Sequence, residues 1–264
     1  MLFSGDAMQP SELLALFDQQ ERQDVIYLDT VREVVPPNIV RFIDHGEKHG
    51  FLIYSRLTAE NADTVIRQQV DHFAGLGYAF EWKLYDHDTP ADLKARLLAY
   101  GFEEGEPEAL LVLEIENAPA SLFQPTTDDI RRITTMEGID DVMAVQNTVW
   151  GQDFSFLEQR LRREVATHSE HTSIYVAYVE DKPVCSAWVY FSINSQFASI
   201  WGGSTLPAYR NQGIYSAILG VRVREAQRRG YRFLYIDASP MSRPIVEKHG
   251  FVHLGYSRPM EWTP

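Results

Sequence analysis

Apolar residues recur along the chain at two spacings, and the switching between them predicts an α/β protein built on a mixed sheet. Residues 11–23 carry Leu13, Leu14, Leu16 and Phe17 on one face of an amphipathic helix with a charged tail. Pro36-Pro37 interrupts the chain, and two strand-like runs follow, 39–44 and 51–57, joined as a hairpin through residues 46–50. The spacing then predicts a helix over 59–76, a strand over 79–85, a helix opened by Thr89-Pro90 and running to Tyr100, and a strand over 110–115.

Asn117-Ala118-Pro119-Ala120 reads as a linker. Beyond it the pattern predicts a strand over 130–134, helices over 139–150 and 154–167, a hairpin of 173–179 and 184–193 around Glu180-Asp181-Lys182-Pro183, and a strand over 197–205. Ile214, Ala217, Ile218 and Val221 recur at helical spacing, so a helix begins near Gly213; a strand over 233–237 and a helix over 245–249 complete the run. One order of elements occurs twice: helix, Gly77-Tyr78, strand, helix, Gly101-Phe102, and again helix, Gly230-Tyr231, strand, helix, Gly250-Phe251. Either the chain is a duplication, or two α/β units are alike by chance.

The turn Pro207-Ala208-Tyr209-Arg210-Asn211-Gln212-Gly213-Ile214-Tyr215-Ser216 stands between a predicted strand and a predicted helix. The first amides of a helix lack intrahelical partners and lie at the positive end of its dipole, so such a turn can hold a diphosphate, and Gly213 lets a phosphate approach where a Cβ would intrude. Neither GxxxxGK[ST] nor GxGxxG is present. Arg210-x-x-Gly213-x-Tyr215 instead resembles the acetyl-CoA pyrophosphate loop of the GNAT acetyltransferase superfamily, [QR]-x-x-G-x-[GA], with Tyr215 where a small residue is usual. The flanks from Asp128 to Met260 follow the GNAT order of elements.

The resemblance implies a GNAT acyl-CoA N-acyltransferase fold in residues 119–264, preceded by a degenerate GNAT-like domain over 1–118 that has no CoA loop. It implies acetyl-CoA as co-substrate, held by Ser204 and Thr205 at a strand end, by Arg210, Asn211, Gln212, Gly213, Ile214, Tyr215 and Ser216 in the loop, and by Ser239 and Ser242 beyond the next strand. The acceptor is a small-molecule or peptide amine that attacks directly, with Trp150, Phe154 and Trp201 as candidate lining of an apolar acceptor pocket or as core aromatics. Gly202-Gly203 inside a strand signals a bulge or a close backbone approach. Tyr215 implies a slightly opened loop, a ring packed on cofactor or acceptor, or plain packing. Two family positions differ: Ser239 replaces an asparagine, and Val246 replaces the tyrosine that protonates the leaving thiolate. No carboxylate lies in 197–205, which leaves Asp153 and Asp237 as candidate bases, each also readable as a structural acid. The end of the chain after Met260 leaves little room for a seventh strand, whose place is empty or filled by the other domain or a second chain.

The net charge of -13 sharpens this picture only slightly, because it is confined to one half. Residues 1–120 hold 9 Lys and Arg against 22 Asp and Glu, while the remainder holds 15 of each. Such a field argues against nucleic acid and fits either basic partners or a solvated acidic surface. A single cysteine, Cys185, excludes an intrachain disulfide, and neither a membrane span nor a secretory leader is evident, so the expectation is a cytoplasmic monomer or homodimer. His168 with His171 and His249 with His253 lack the partners of a metal set and read as solvated; no metal is expected. Two other functions stay open: a non-catalytic acyl-CoA-binding sensor or scaffold, and an interaction protein on an α/β frame.

Overall fold

The computed structural model describes residues 8–124, 129–152 and 154–264. In chain order the elements are α1 (Pro10–Phe17), β1 (Val31–Val35), β2 (Ile39–Asp44), β3 (His49–Ser55), α2 (Ala62–Leu76), β4 (Ala79–Tyr85), α3 (Leu93–Ala99), β5 (Glu103–Glu104), β6 (Glu108–Glu114), β7 (Asp129–Ile133), α4 (Met136–Trp150), α5 (Ser155–Thr167), β8 (Thr172–Val179), β9 (Lys182–Phe191), β10 (Phe197–Thr205), α6 (Ile214–Arg228), β11 (Phe233–Ala238), α7 (Arg243–Lys248) and β12 (Val252–Trp262). They fall into two compact units that do not follow the chain linearly: residues 1–111, 237–247 and 252–264 form one, and 112–236 with 248–251 form the other.

In the first unit the strand order is β1-β2-β3-β4-β12, with β5 paired to β12. β3 and β4 run parallel, which a tight turn cannot connect, and α2 is the crossover. Side chains alternate across β4: Phe80, Trp82 and Leu84 pack with Val65, Ile66 and Phe73 of α2, Leu93 and Leu97 of α3, and Met260 of β12. On the opposite face Lys83 donates to Asp237 Oδ2 at 2.6 Å. Both side chains are largely withdrawn from water, and the Asp237 carboxylate holds the Lys83 ammonium well above its usual pKa against the effect of burial. The α1 helix continues as one π-helical stretch, Asp18–Gln23, whose Arg22 is buried and donates to both oxygens of Asp88 at 2.8 and 2.9 Å.

In the second unit the order is β11-β10-β9-β8-β7, antiparallel except for the β10–β11 pair. α6 is the crossover that this parallel pair requires. β8 shows which helices cover which face. Ile174 and Val176 pack with Ile139, Val142 and Met143 of α4 and Leu161 of α5. Ser173 and Tyr175, pointing the other way, both donate to Glu225 of α6, which also accepts from Arg229. Beside β11, Ile115 donates its backbone N–H to the Arg232 carbonyl at 2.9 Å and Glu114 pairs with the Arg232 guanidinium. Just past the predicted linker, Arg224 of α6 donates to the carbonyls of Leu122 and Gln124 at 2.9 and 2.8 Å.

Candidate functional site

The site is built on β10, where two residues of this strand, Gly202 and Gly203, stand against one of β9, Ala187: Trp201 pairs with Trp188, and Ser204 pairs with Ser186. The extra residue falls at Gly202-Gly203, so the glycines form a β-bulge. Gly202 has φ +61°, and a Cβ there would lie 1.8 Å from Cζ3 of Trp188. Only glycine fits. Gly203 faces the other side of the strand, where an added Cβ would stand 2.6 Å from Cε2 of Tyr215. The aromatic ring that departs from the loop pattern thus occupies the volume a side chain on the strand would need. It packs; the loop does not have to open for it. Burial pushes the Tyr215 hydroxyl pKa up, with Arg222 pulling against that shift.

Gln146 of α4 holds the bulge from the opposite side. It is 2% exposed, and its Nε2 donates to the Gly202 carbonyl at 2.7 Å and to Ser186 Oγ at 2.8 Å. Ser204 Oγ donates to Gln146 Oε1 at 3.2 Å and accepts from the Trp150 indole at 3.1 Å. Sequence reading missed Gln146, although a signal was present: Ile139, Val142, Met143 and Gln146 share one helical stripe, and its fourth position is polar.

Beyond β10 a 3-10 turn, Pro207–Tyr209, leads into the loop. Arg210 is exposed and anchors its Nε to the Thr205 carbonyl at 3.0 Å. Gln212 donates to the Ala208 carbonyl at 3.1 Å. Asn211 has φ +62°, and Gly213, with φ +86°, is the N-cap of α6 and gives no side-chain cap. A Cβ added to Gly213 would meet nothing within 4 Å. The first amides of this 15-residue helix have no intrahelical partners and no side-chain cap at Gly213, and the place a Gly213 Cβ would take is open. This is the geometry of an anion cradle, and it fits the diphosphate of a nucleotide-like cofactor.

A family comparison reads the same stretch. The model of the acetyltransferase (GNAT) family matches residues 139–251. Residues 139–251 form a GNAT domain. Among solved structures, this chain is similar to a functionally unknown conserved protein from Staphylococcus epidermidis, at 18% identity and TM-score 0.67, covering 90% of this chain and 96% of that one. It is also similar to a GCN5-related N-acetyltransferase from Kribbella flavida, at 13% identity and TM-score 0.66, covering 97% and 94%. A tandem GNAT protein from the clavulanic acid biosynthesis pathway matches at 12% identity and TM-score 0.57, over 91% and 85%. These likenesses establish a shared fold. No curated protein matches the sequence.

The remaining candidate residues of the second unit have partners of their own. Ser216 shares a hydrogen bond of 2.8 Å with Nε2 of His249, and burial holds that histidine's pKa below its ordinary value. His249 is therefore a paired side chain, not a solvated one, and His253 has a buried Nε2 beside the ring of Tyr256. Thr205 donates from Oγ1 to Cys185, whose thiol is buried and pushed up in pKa by that burial, the reverse of an activated nucleophile. Trp150 and Trp201 are 56% and 44% exposed. Their indole N–H groups are tied down, Trp201's to Ser199 Oγ at 2.9 Å, which leaves ring faces open to solvent. Phe154 packs against the α4–α5 core, and Phe156, not picked out from the sequence, is the more exposed phenylalanine.

Ser239 and Ser242 belong to the first unit, where they close a turn after β11: the Ser242 amide reaches the Ser239 carbonyl at 3.1 Å. Asp237 accepts from Lys83 with one oxygen and from Ser257 at 3.1 Å with the other. Asp153 lies outside the described residues. Phe154 is the N-cap of α5. Val246 is fully buried. Among the described residues no group of His, Cys, Asp or Glu is placed to hold a metal ion, and no helix is long and apolar enough to cross a membrane.

Proposed function

We propose that the chain is an acetyl-CoA-dependent N-acetyltransferase that acts on a primary amine. The observation that carries this reading is the uncapped start of α6 behind left-handed Gly213, directly following a bulged strand in a GNAT domain. Bound there, acetyl-CoA supplies an activated acetyl group whose C–S bond is exchanged for a C–N bond to the amine, with the CoA thiol as leaving group. The amides of Ile214, Tyr215 and Ser216 hold the diphosphate, Arg210 adds positive charge at the loop, and the edge of β10 at Ser204 and Thr205 receives the pantetheine arm. The bulge presents backbone amide hydrogen to the acyl oxygen, where negative charge develops. Trp150 and Trp201 offer flat apolar surface to the body of the acceptor. Both Asp237 oxygens are engaged, which leaves Asp153 as the carboxylate we assign as base for the ammonium proton.

The reading extends to the rest of the chain as a tandem arrangement, a GNAT-like first domain over 1–118 and an acetyltransferase domain over 119–264. The repeated order of elements and the likeness to a tandem GNAT protein support it. Residues 58–62 hold no Arg-x-x-Gly loop, so one cofactor per chain is expected. The lone, buried Cys185 accords with a cytoplasmic protein.

One observation favours a second reading, an acyl-CoA sensor without turnover: the tyrosine that would protonate the thiolate is replaced by a buried valine at 246. Calorimetric titration with acetyl-CoA, paired with an assay for free CoA thiol in the presence of primary amines, separates the two. The transferase binds once per chain and releases CoA with an amine; Gly213→Asp, which puts negative charge into the cradle, weakens binding more than tenfold, about 1.4 kcal/mol. Binding without CoA release leaves the sensor, and no binding overturns both.

A further inference from the structure

Gln146 is the best-connected buried polar side chain near the bulge, and its connections have a direction. The Gly202 carbonyl can only accept, so the Gln146 amide nitrogen must face it, and the same nitrogen donates to Ser186 Oγ. Gln146 Oε1 is thereby left to accept from Ser204, whose Oγ accepts in turn from Trp150. The chain Trp150 to Ser204 to Gln146 to Gly202 is satisfied at every link. Each bond polarises the next in a buried setting.

Fixing the Gly202 carbonyl also fixes the next amide. A trans peptide is planar, so the N–H of Gly203 points opposite to the C=O of Gly202. Gln146 and Ser204 mark the α4 side of β10, and the ring of Tyr215, from the first turn of α6, marks the other. A carbonyl drawn toward α4 turns the Gly203 N–H toward the α6 side, the side of the cofactor loop. An ordinary strand would keep both groups in the sheet plane and pair them with neighbours. The one-residue bulge interrupts the regular β10–β9 register at this peptide, and Gln146 holds its carbonyl.

We infer that Gln146 is a positioning residue for acyl transfer: by holding the Gly202 carbonyl it aims the Gly203 N–H at the thioester oxygen. The inference rests on the transferase reading above. It assigns Gln146 no contact with substrate. It also ties Trp150, half-exposed on the acceptor face, to the donor of the oxyanion contact, so an acceptor seated on Trp150 and the acyl group share one hydrogen-bonded frame.

The test uses the full chain and acetyl-CoA labelled with carbon-13 at the acetyl carbonyl. Titration gives its affinity, and isotope-edited infrared spectroscopy gives the stretching frequency of the bound carbonyl, which a well-aimed donor lowers. In the wild type the bound band lies below that of free acetyl-CoA. In Gln146→Leu the affinity stays within about threefold, the band returns toward the free position, and kcat with an amine falls ~10- to 100-fold with little change in KM for acetyl-CoA. Gln146→Glu keeps the shape and supplies a second readout. Its ionised carboxylate cannot donate to Gly202, whereas its protonated form can, so the variant regains band shift and turnover as pH falls, which the wild type does not do. A folded Gln146→Leu that binds acetyl-CoA with an unchanged band overturns the inference alone, as does a pH-independent defect in Gln146→Glu. Failure of the wild type to bind acetyl-CoA overturns the transferase reading and the inference with it.

Discussion

Tyr215 and Gly203 share one volume: a Cβ built on Gly203 would stand 2.6 Å from Cε2 of the Tyr215 ring. A bulky residue is tolerated in the first turn of α6 because the strand opposite carries no side chain. Gly203→Ala should cost about 1–3 kcal/mol, because the added methyl and the Tyr215 ring cannot both keep their places. In a Tyr215→Ala background the same change should cost less than half as much, because the obstructing ring is gone. Urea denaturation of the four proteins of the cycle measures this coupling; equal costs in both backgrounds would mean that the two residues do not compete for space.

Much of this arrangement was readable from residue order. Strands 79–85 and 197–205 have the predicted bounds, and the predicted helix behind Gly213 begins at Ile214. Elements whose pattern is local and periodic were recovered to within a few residues. The short β1 was not, because its Val31 and Val34 face solvent and give no buried period next to Pro36-Pro37. β12 was missed for a different reason. Gly255 and Pro259 break its pattern, and its pairing partner β4 lies more than 150 residues earlier, a relation no window can see. At the site, the loop and glycine bulge were legible as motifs. The Gln146 network was not, since a glutamine in an apolar stripe shows its partners only once three elements meet.

Protonation should reach the fold through His249. Burial holds its folded pKa below the ordinary histidine value, so between the two values the unfolded chain binds a proton that the folded chain does not. Its contribution is present above about pH 6.5 and is lost as pH falls through that region. His72 acts in the same direction through burial and the neighbouring Arg41. His249→Gln should therefore flatten, without abolishing, the fall in Tm between pH 7 and pH 5.5. Thermal melts at a series of pH values check it; a slope equal to or steeper than that of the wild type would contradict the assignment.

The Lys83–Asp237 pair gives a prediction about both stability and catalysis. Lys83→Met alone leaves the Asp237 carboxylate buried beside Ser257 and should cost about 3–5 kcal/mol. Lys83→Met with Asp237→Leu removes both charges and should recover part of that loss, Glu108 being left without the ammonium it faces at 3.6 Å. The double variant should retain turnover of acetyl-CoA with an amine. Loss of turnover in a stable double variant would return Asp237 to the role of base.

Trp150 and Trp201 are expected to act on the acceptor and not on the cofactor. Trp201→Ala should raise KM for the amine roughly tenfold, the scale of one aromatic contact of about 1.5 kcal/mol, with acetyl-CoA affinity unchanged. Trp150→Ala should do the same and also lower kcat, because it removes the first link in the chain to Gly202. Steady-state kinetics with amine and acetyl-CoA varied separately distinguish these outcomes.

The antiparallel pairing of β12 with β4 carries a consequence for how the protein is made. Strand β4 is finished by Tyr85, but its neighbour begins at Val252 and is translated about 10 s or more later at ordinary rates of synthesis. During that interval β4 leaves the ribosome with one edge unpaired, the condition that invites chaperone capture or pairing with another nascent chain. Slowing translation across residues 112–251 should lengthen this exposure without altering a single contact in the finished molecule.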